Sequence, residues 1–505
     1  MITVDITFMA VLATALCGLS LSVLIEYMMS PRPILSRSLA AWTLHVGLWL
    51  FSFALLTLLL GRPWFAAAAV SAFLLILVLV NNAKFAALRE PLVFQDYEYF
   101  TDAIRHPRLY IPFLGWPNFF GASAGFISAA LVGLWIEEPL AERFMINGQL
   151  GGVVLIFFCG VFSIWLGNRT KLPVSFDPID DVKNLGLMTC AWRYAEEMKK
   201  NPIAASPFDF VEKNYGENEL PHLVAIQSES FFDPRIICND IKPDILSEFD
   251  RIKRDAFSHG KLEVPAWGAN TVRTEFAFLT GVQQKLLGVH RFNPFRTISA
   301  GWKLSSIAIF LKGMGYRTVC IHPYPATFYR RNRVYPVLGF DEFIDIKAFD
   351  KVHRFGPYVG DMSVVEKVKI LLERSKEPLF LFVITMENHG PLHLETAAPE
   401  DVADLYANTP RKGSDELTIY LRHLRNANSM IGSLREILER CTRPASLCWF
   451  ADHVPIMPSV YKAYGEPTGA VEYVFWHNRD VGDLGEKNLK ASELSMVWLK
   501  GLGFS

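Results

Sequence analysis

The longest apolar runs of the chain all fall in its first 170 residues. Windows 6–25, 39–60, 63–80, 119–136 and 150–166 contain no Asp, Glu, Lys or Arg, and their lengths are those of bilayer-spanning segments. They predict five transmembrane helices. The first has no basic leader and is followed by Glu26-Tyr-Met-Met rather than a small-residue cleavage motif, so it reads as a retained helix and not as a signal peptide. Between the third and fourth windows, segment 84–118 is rich in aromatics and charge and reads as lying at the membrane interface.

From about Asn168 the pattern changes. Val182, Leu185, Thr189, Trp192 and Ala195 recur at helical spacing, which predicts an amphipathic connector over 169–220. From Pro221 onward, short apolar runs alternate with helical patterns, the signature of a parallel α/β sheet. Strands are expected at 222–229, 317–322, 379–385 and 446–450, and helices at 304–314, 363–375 and about 415–439. The predicted organisation is a transmembrane domain at 1–168, the connector at 169–220 and an α/β domain with a central, mostly parallel sheet at 221–505.

Composition supports this division. Hydrophobic residues make up 51% of 505 positions, high for a soluble enzyme, while the formal net charge of -1 argues against a nucleic-acid partner. The seven cysteines form no CxxC pair, which indicates neither a zinc knuckle nor a disulfide framework, a Cys441–Cys448 bridge in an extracytoplasmic domain being the one pairing left open.

The expected strands end on chemistry. Glu229 follows the first, His322 closes the second, His389 lies just beyond the third, and Asp452-His453 follows the fourth. Open α/β sheets bind ligands outside the carboxyl ends of their strands. Two carboxylates and an imidazole suit one divalent cation. Thr271, in Gly268-Ala-Asn-Thr-Val-Arg-Thr-Glu-Phe276, is by itself an ordinary helix cap. A metal held by Glu229, Asp452 and His453, with Thr271 as fourth ligand, would instead activate its hydroxyl as a nucleophile.

With these residues in place, the chain resembles the lipoteichoic acid synthase type of phosphoglycerol transferase, in the sulfatase-like branch of the alkaline phosphatase superfamily. The resemblance covers essentially the whole chain. It implies one metal ion, Mn²⁺ before Zn²⁺ or Mg²⁺, on Glu229, Thr271, Asp452 and His453. It implies substrate-binding roles for His322, Phe328 and Arg331, and for His389 in Thr385-Met-Glu-Asn-His-Gly-Pro391. It further implies a phospholipid donor, phosphatidylglycerol first, a glycan or glycerophosphate acceptor, and an inner-membrane protein with an extracytoplasmic catalytic domain.

Some features depart from the family pattern. Tyr329 stands where that family usually has Trp, Arg330 precedes Arg331 where a small amide is commoner, and Glu387-Asn388-His389-Gly390 differs from the Gram-positive form. The acceptor therefore stays open among teichoic acid, capsule and other glycans. The C/S-x-P-x-R motif of true sulfatases is absent at Thr271-Val-Arg-Thr. Phosphoethanolamine transfer or phosphodiester hydrolysis on the same centre is the enzymatic alternative, and an inactive lipid-binding membrane protein the non-enzymatic one. The implied orientation conflicts with the positive-inside rule, since it leaves Arg32, Arg37, Lys84, Arg89, Arg105 and Arg108 outside and only Arg62 and Arg143 inside.

Overall fold

The computed structural model describes residues 6–98, 116–137, 146–170, 172–212, 214–216, 219–349 and 354–504. The chain divides into two compact units, residues 1–201 and 202–505.

The first unit is helical: α1 Ile6–Glu26, α2 Leu39–Leu60, α3 Pro63–Leu88, α4 Trp116–Ile136, α5 Ile146–Arg169, α6 Pro178–Leu185 and α7 Leu187–Glu197. Four segments, Met9–Glu26, Leu39–Leu60, Pro63–Leu88 and Leu150–Arg169, are long and apolar enough to cross a membrane. Window 119–136 is helical too, within α4. This is a membrane protein. The α2–α5 crossing is built on small residues. A Cβ on Gly47 would sit 2.8 Å from the Ile164 nitrogen, and one on Gly160 would sit 2.7 Å from the Phe51 nitrogen, so only glycine allows this approach.

The predicted connector helix is two helices, α6 and α7. The break is Gly186, whose φ of 81° favours glycine, and where a Cβ would collide with the Arg37 guanidinium at 2.1 Å. Arg37 is fully buried there. Its Nη1 donates to Glu26 Oε2 at 2.7 Å, and Glu26 Oε1 accepts from the Met188 amide at 3.1 Å. Lys84 donates to Glu90 at 2.8 Å and to Asp96 at 2.7 Å. Arg105 and Arg108 lie outside the described residues, as does the whole of segment 99–115.

The second unit is built on a nine-stranded sheet. Its strands are β1 His222–Ser228, β2 Ser258–Glu263, β3 Arg317–Ile321, β4 Glu342–Ile344, β7 Leu379–Ile384, β8 Ala445–Ala451, β9 Val471–His477, β10 Gly485–Glu486 and β11 Leu489–Lys490. β5 Arg354–Phe355 and β6 Tyr358–Val359 form a separate hairpin. The main order is β10-β2-β9-β8-β1-β7-β3-β4, with β11 also on β2. β8, β1, β7, β3 and β4 run parallel, and β9 is antiparallel to both neighbours. Every residue of β1, β7 and β8 is buried, as expected for parallel strands covered on both faces, which therefore read as continuous apolar runs. The helices used below are α8 Thr271–Thr280, α9 Arg331–Val337, α10 Asp361–Arg374 and α11 Asp415–Glu439.

Candidate active site

Four adjacent parallel strands deliver the candidate residues to one edge. β1 pairs with β8 so that Ser228 lies opposite Ala451, and the next residues, Glu229 and Asp452, are therefore neighbours. Glu229, Asp452 and His453 are all buried and offer ligand atoms within 4.8 Å of one another. His453 Nε2 lies 3.2 Å from Asp452 Oδ2 and 3.7 Å from Glu229 Oε1. Its Nδ1 faces the Val454 carbonyl at 3.1 Å, a partner that keeps the proton on Nδ1 and leaves the Nε2 lone pair toward the carboxylates.

Ser230, which no pattern in the sequence marks, ties the three together. Its amide donates to Asp452 Oδ1 at 2.9 Å, and its hydroxyl donates to Glu229 Oε1 at 2.8 Å. Its φ is 49°, and that of Asn270, just before Thr271, is 63°. Left-handed backbone is costly for a residue with a side chain and is typical of functional sites.

The donor set fits a divalent cation. Asp452 Oδ2 is buried and has no hydrogen-bond partner. Burial, and then the charge of Asp452, push the Glu229 carboxyl up to about 8. Two carboxylates enclosed together without a compensating charge are unfavourable, and a cation removes both penalties. One nitrogen and several oxygens suit Zn²⁺ or Mn²⁺ alike.

Thr271 is the first residue of α8 and not its cap. The capping position falls to Asn270, whose side chain makes no capping bond. The Thr271 hydroxyl makes no hydrogen bond among the described residues, so the bland role is not the one it plays here. One turn further on, Thr274 donates its hydroxyl to the Asp452 carbonyl at 2.8 Å. Residues three apart share a helix face, so the same face of α8 carries Thr271 and the bond to Asp452.

His322, Phe328 and Arg331 form a second cluster. Arg331 Nε and Nη2 donate to Glu275 Oε1 and Oε2 at 3.0 and 2.7 Å, Tyr335 also donates to Glu275, and Arg331 Nη1 donates to His322 Nε2 at 3.2 Å. His322 Nδ1 donates to the Ile384 carbonyl at 3.2 Å. Both His322 nitrogens are thus engaged, and burial with the Arg331 charge keeps its pKa well below the usual range. The Phe328 ring lies 5.9 Å from the guanidinium carbon. Glu275 was the missed residue here, although its position four after Thr271 placed it on the same helix.

His389 stands apart from that cluster. It is half-buried, and burial lowers its pKa while the charge of Asp452 acts to raise it. Its Nδ1 faces the Gly390 carbonyl at 2.5 Å, and the Tyr358 hydroxyl is 3.3 Å away. The Nε2 atom makes no hydrogen bond among the described residues.

A helical membrane unit followed by an α/β unit with a metal-type triad at its strand ends defines an enzyme of the alkaline phosphatase class. The sulfatase family model matches residues 221–490, more than half of the chain, and the chain belongs to that family, in the sulfatase-like branch of the superfamily. Among relatives, it is 28% identical over 453 residues to the capsular polysaccharide biosynthesis protein RkpI of Rhizobium meliloti, covering 80% of this chain and 76% of the relative. It is 24% identical over 165 residues to lipoteichoic acid synthase 1 of Bacillus subtilis, covering 31% of this chain and 26% of that one. In fold it matches the integral membrane lipooligosaccharide phosphoethanolamine transferase A of Neisseria meningitidis, with a TM-score of 0.57, 11% identity, and 96% of this chain and 95% of that one covered. It is a membrane protein with a sulfatase-like domain of the alkaline phosphatase superfamily.

Proposed function

We propose that the protein moves a phosphoglycerol group from a phospholipid, phosphatidylglycerol first, to a glycan or glycerophosphate acceptor through a covalent Thr271 intermediate. The observation that carries this reading is the uncommitted Thr271 hydroxyl at the start of α8, one turn from the bond that ties α8 to Asp452. Glu229, Asp452 and His453 would hold one divalent ion, Mn²⁺ on the resemblance, which would lower the hydroxyl pKa and offset charge on the phosphoryl oxygens.

In the first step Thr271 Oγ, as its alkoxide, bonds to phosphorus, and the bond from phosphorus to the diacylglycerol oxygen breaks. His389 Nε2, when protonated, gives that oxygen its proton. In the second step an acceptor hydroxyl attacks the phosphorus, its proton goes to the now neutral His389 Nε2, and Thr271 leaves phosphorus as the alkoxide again. His322 has no free nitrogen for this exchange, so its role is to hold Arg331, whose charge acts on Glu229.

The glycan acceptor is supported by the likeness to a capsular polysaccharide biosynthesis protein. An extracytoplasmic catalytic unit, on the cell membrane, follows from such an acceptor. The basic residues that argue against it are in part paired, Arg37 with Glu26 and Lys84 with Glu90 and Asp96. A C-terminal reporter fusion should be active only outside the cytoplasm, and cytoplasmic activity would overturn this placement.

Purified full-length protein, incubated with phospholipids carrying labelled headgroups, should release diacylglycerol from phosphatidylglycerol. Release from phosphatidylethanolamine alone would establish phosphoethanolamine transfer instead, the reading favoured by the whole-chain fold match. No release from any lipid would remove the transferase reading altogether.

A further inference from the structure

We infer that Tyr358 is a positioning residue for His389, fixing the imidazole tautomer so that the Nε2 lone pair faces the reacting groups. The inference rests on the proposed transfer only for its kinetic consequence. The placement itself stands on the geometry of one hairpin and one loop.

The contacts around His389 leave a single arrangement. The Tyr358 hydroxyl donates to the Gly390 carbonyl at 3.1 Å, and its oxygen lies 3.3 Å from His389 Nδ1. His389 Nδ1 also faces the Gly390 carbonyl at 2.5 Å. A bare Nδ1 lone pair would point at that carbonyl and at the phenolic oxygen together, which is repulsive. A protonated Nδ1 donates to one or both. The Tyr358 proton is already directed at Gly390, so its lone pairs are turned to Nδ1. The two groups therefore close a small ring of hydrogen bonds whose polarity runs one way, and it forces the second imidazole proton off Nε2 in the neutral side chain. The two rings also meet edge to face, with centroids 5.5 Å apart.

The surroundings keep Tyr358 where it is. β5 and β6 form a tight hairpin, with Arg354 opposite Val359 and Phe355 opposite Tyr358. On the neighbouring strand Phe355 packs edge-on against His423 of α11 at 5.1 Å. His423 is buried, with Nε2 at 2.9 Å from Glu395 and Nδ1 at 3.6 Å from Glu387. Glu387 in turn accepts from the Asp361 amide at 2.6 Å and the Asn426 amide nitrogen at 2.5 Å. Glu387 belongs to the loop that carries His389, so His423 contacts both the hairpin and that loop. The hairpin and the loop are pinned to the same buried side chains, and Tyr358 meets His389 between them. A rigid support of this kind is what a proton-transferring imidazole requires.

The test is a double-mutant cycle on the full chain. Tyr358→Phe keeps the ring and removes only the hydroxyl. In the wild-type background it should lower kcat about tenfold, the size expected for one lost hydrogen bond, with the lipid KM unchanged. In a His389→Ala background the same change should have no further effect, because a residue that acts through His389 has nothing left to position. A Tyr358→Phe enzyme within twofold of wild type, or an equal loss in both backgrounds, would overturn the assignment.

A second measurement needs no turnover. In full-length protein labelled with ¹⁵N-histidine, the signals that vanish in His389→Ala report that ring. They should show the proton on Nδ1 in the wild type and a tautomer mixture in Tyr358→Phe. A proton on Nε2 in the wild type would refute the inference whether or not any lipid is consumed. Wild-type protein inert toward every lipid, but with the Nδ1 proton in place, would count against the transfer reaction alone.

Discussion

The Arg331 guanidinium grips the Glu275 carboxylate in a two-pronged bond, 3.0 Å at Nε and 2.7 Å at Nη2, with both side chains almost fully buried. Glu275 is four residues after the proposed nucleophile on α8, and Arg331 opens α9. The pair thus ties the helix that carries Thr271 to the segment that carries Phe328 and Tyr329. Those residues bend sharply before α9, with left-handed φ values of 53° at Tyr329 and 56° at Arg330. The guanidinium that reaches His322 is held in place by Glu275 and by the two aromatic rings near it.

Removing one partner leaves the other charged and enclosed. Glu275→Ala should therefore destabilise the protein by about 3–5 kcal/mol, the cost typical of breaking a buried ion pair. Denaturant unfolding of the full chain would measure it. Arg331→Lys keeps the charge but cannot fork, so it should also lose stability and weaken donor binding. A Glu275→Ala change below 1 kcal/mol would mean that water reaches the pair.

His222 should make the protein sensitive to mild acid. It is buried at the start of β1, and its Nδ1 accepts the Leu379 amide at 3.1 Å. Burial, and then the nearby Arg443 charge, lower its pKa to about 4. The unfolded chain then binds more protons between the ordinary histidine range and about 4, so stability falls as the pH falls through that window. His222→Asn retains an acceptor near the position of Nδ1 without a titrating proton. It should flatten this part of the curve of unfolding midpoint against pH, and an unchanged slope would place the acid sensitivity elsewhere.

Metal binding should fail with a single carboxylate. Asp452→Asn removes half of the paired negative charge while keeping the size of the side chain, and the orphaned Oδ2 is the atom that this change neutralises or replaces. Elemental analysis of purified protein should find a stoichiometric divalent ion in the wild type and little in the variant, with transfer lost in parallel. A variant that kept both would show the ion, if any, to be held elsewhere.

Much of this site was legible in the sequence, for a physical reason. β1, β7 and β8 are buried on both faces, so each carries an apolar run, 223–226, 379–384 and 447–451, and an acid or histidine within a few residues of the end of such a run stands out. Glu229, His322, His389 and Asp452 were found in that way. β2 was not found, because Ser258-His-Gly-Lys-Leu-Glu263 is only half-buried and has no apolar run. β9 was missed despite its apolar composition, since nothing in a pattern of alternating strands and helices announces an antiparallel strand on a parallel sheet. The expected helix at 304–314 is only Ile307–Lys312, capped by Ser306. The partners that orient the site were hidden for another reason. Glu275 and Arg331 are 56 residues apart, and Tyr358 and His389 are 31 apart. Their pairing is created by the sheet order, and local sequence carries no trace of it.

Thr271 gives the most discriminating prediction. As a helix cap, its loss would cost about 1 kcal/mol and leave chemistry intact. The structure already assigns the capping position to Asn270 and leaves the Thr271 hydroxyl unbonded among the described residues. The cost of Thr271→Ala to stability should therefore be smaller still, and the variant should fold and insert normally. Transfer should nevertheless disappear, because the other hydroxyl in the first turn of α8, that of Thr274, is committed to the Asp452 carbonyl. Thr271→Ser keeps a hydroxyl on the same carbon and should retain part of the activity. Wild-type protein quenched with lipid donor but without acceptor should yield, by mass spectrometry, a phosphoglyceryl adduct on the peptide that contains Thr271, and the Ala variant should yield none. Near-normal turnover by Thr271→Ala would show that phosphorus is attacked by another group, and the two-step route would go with it. An adduct carrying phosphoethanolamine instead would keep Thr271 as the nucleophile and change only the lipid it acts on.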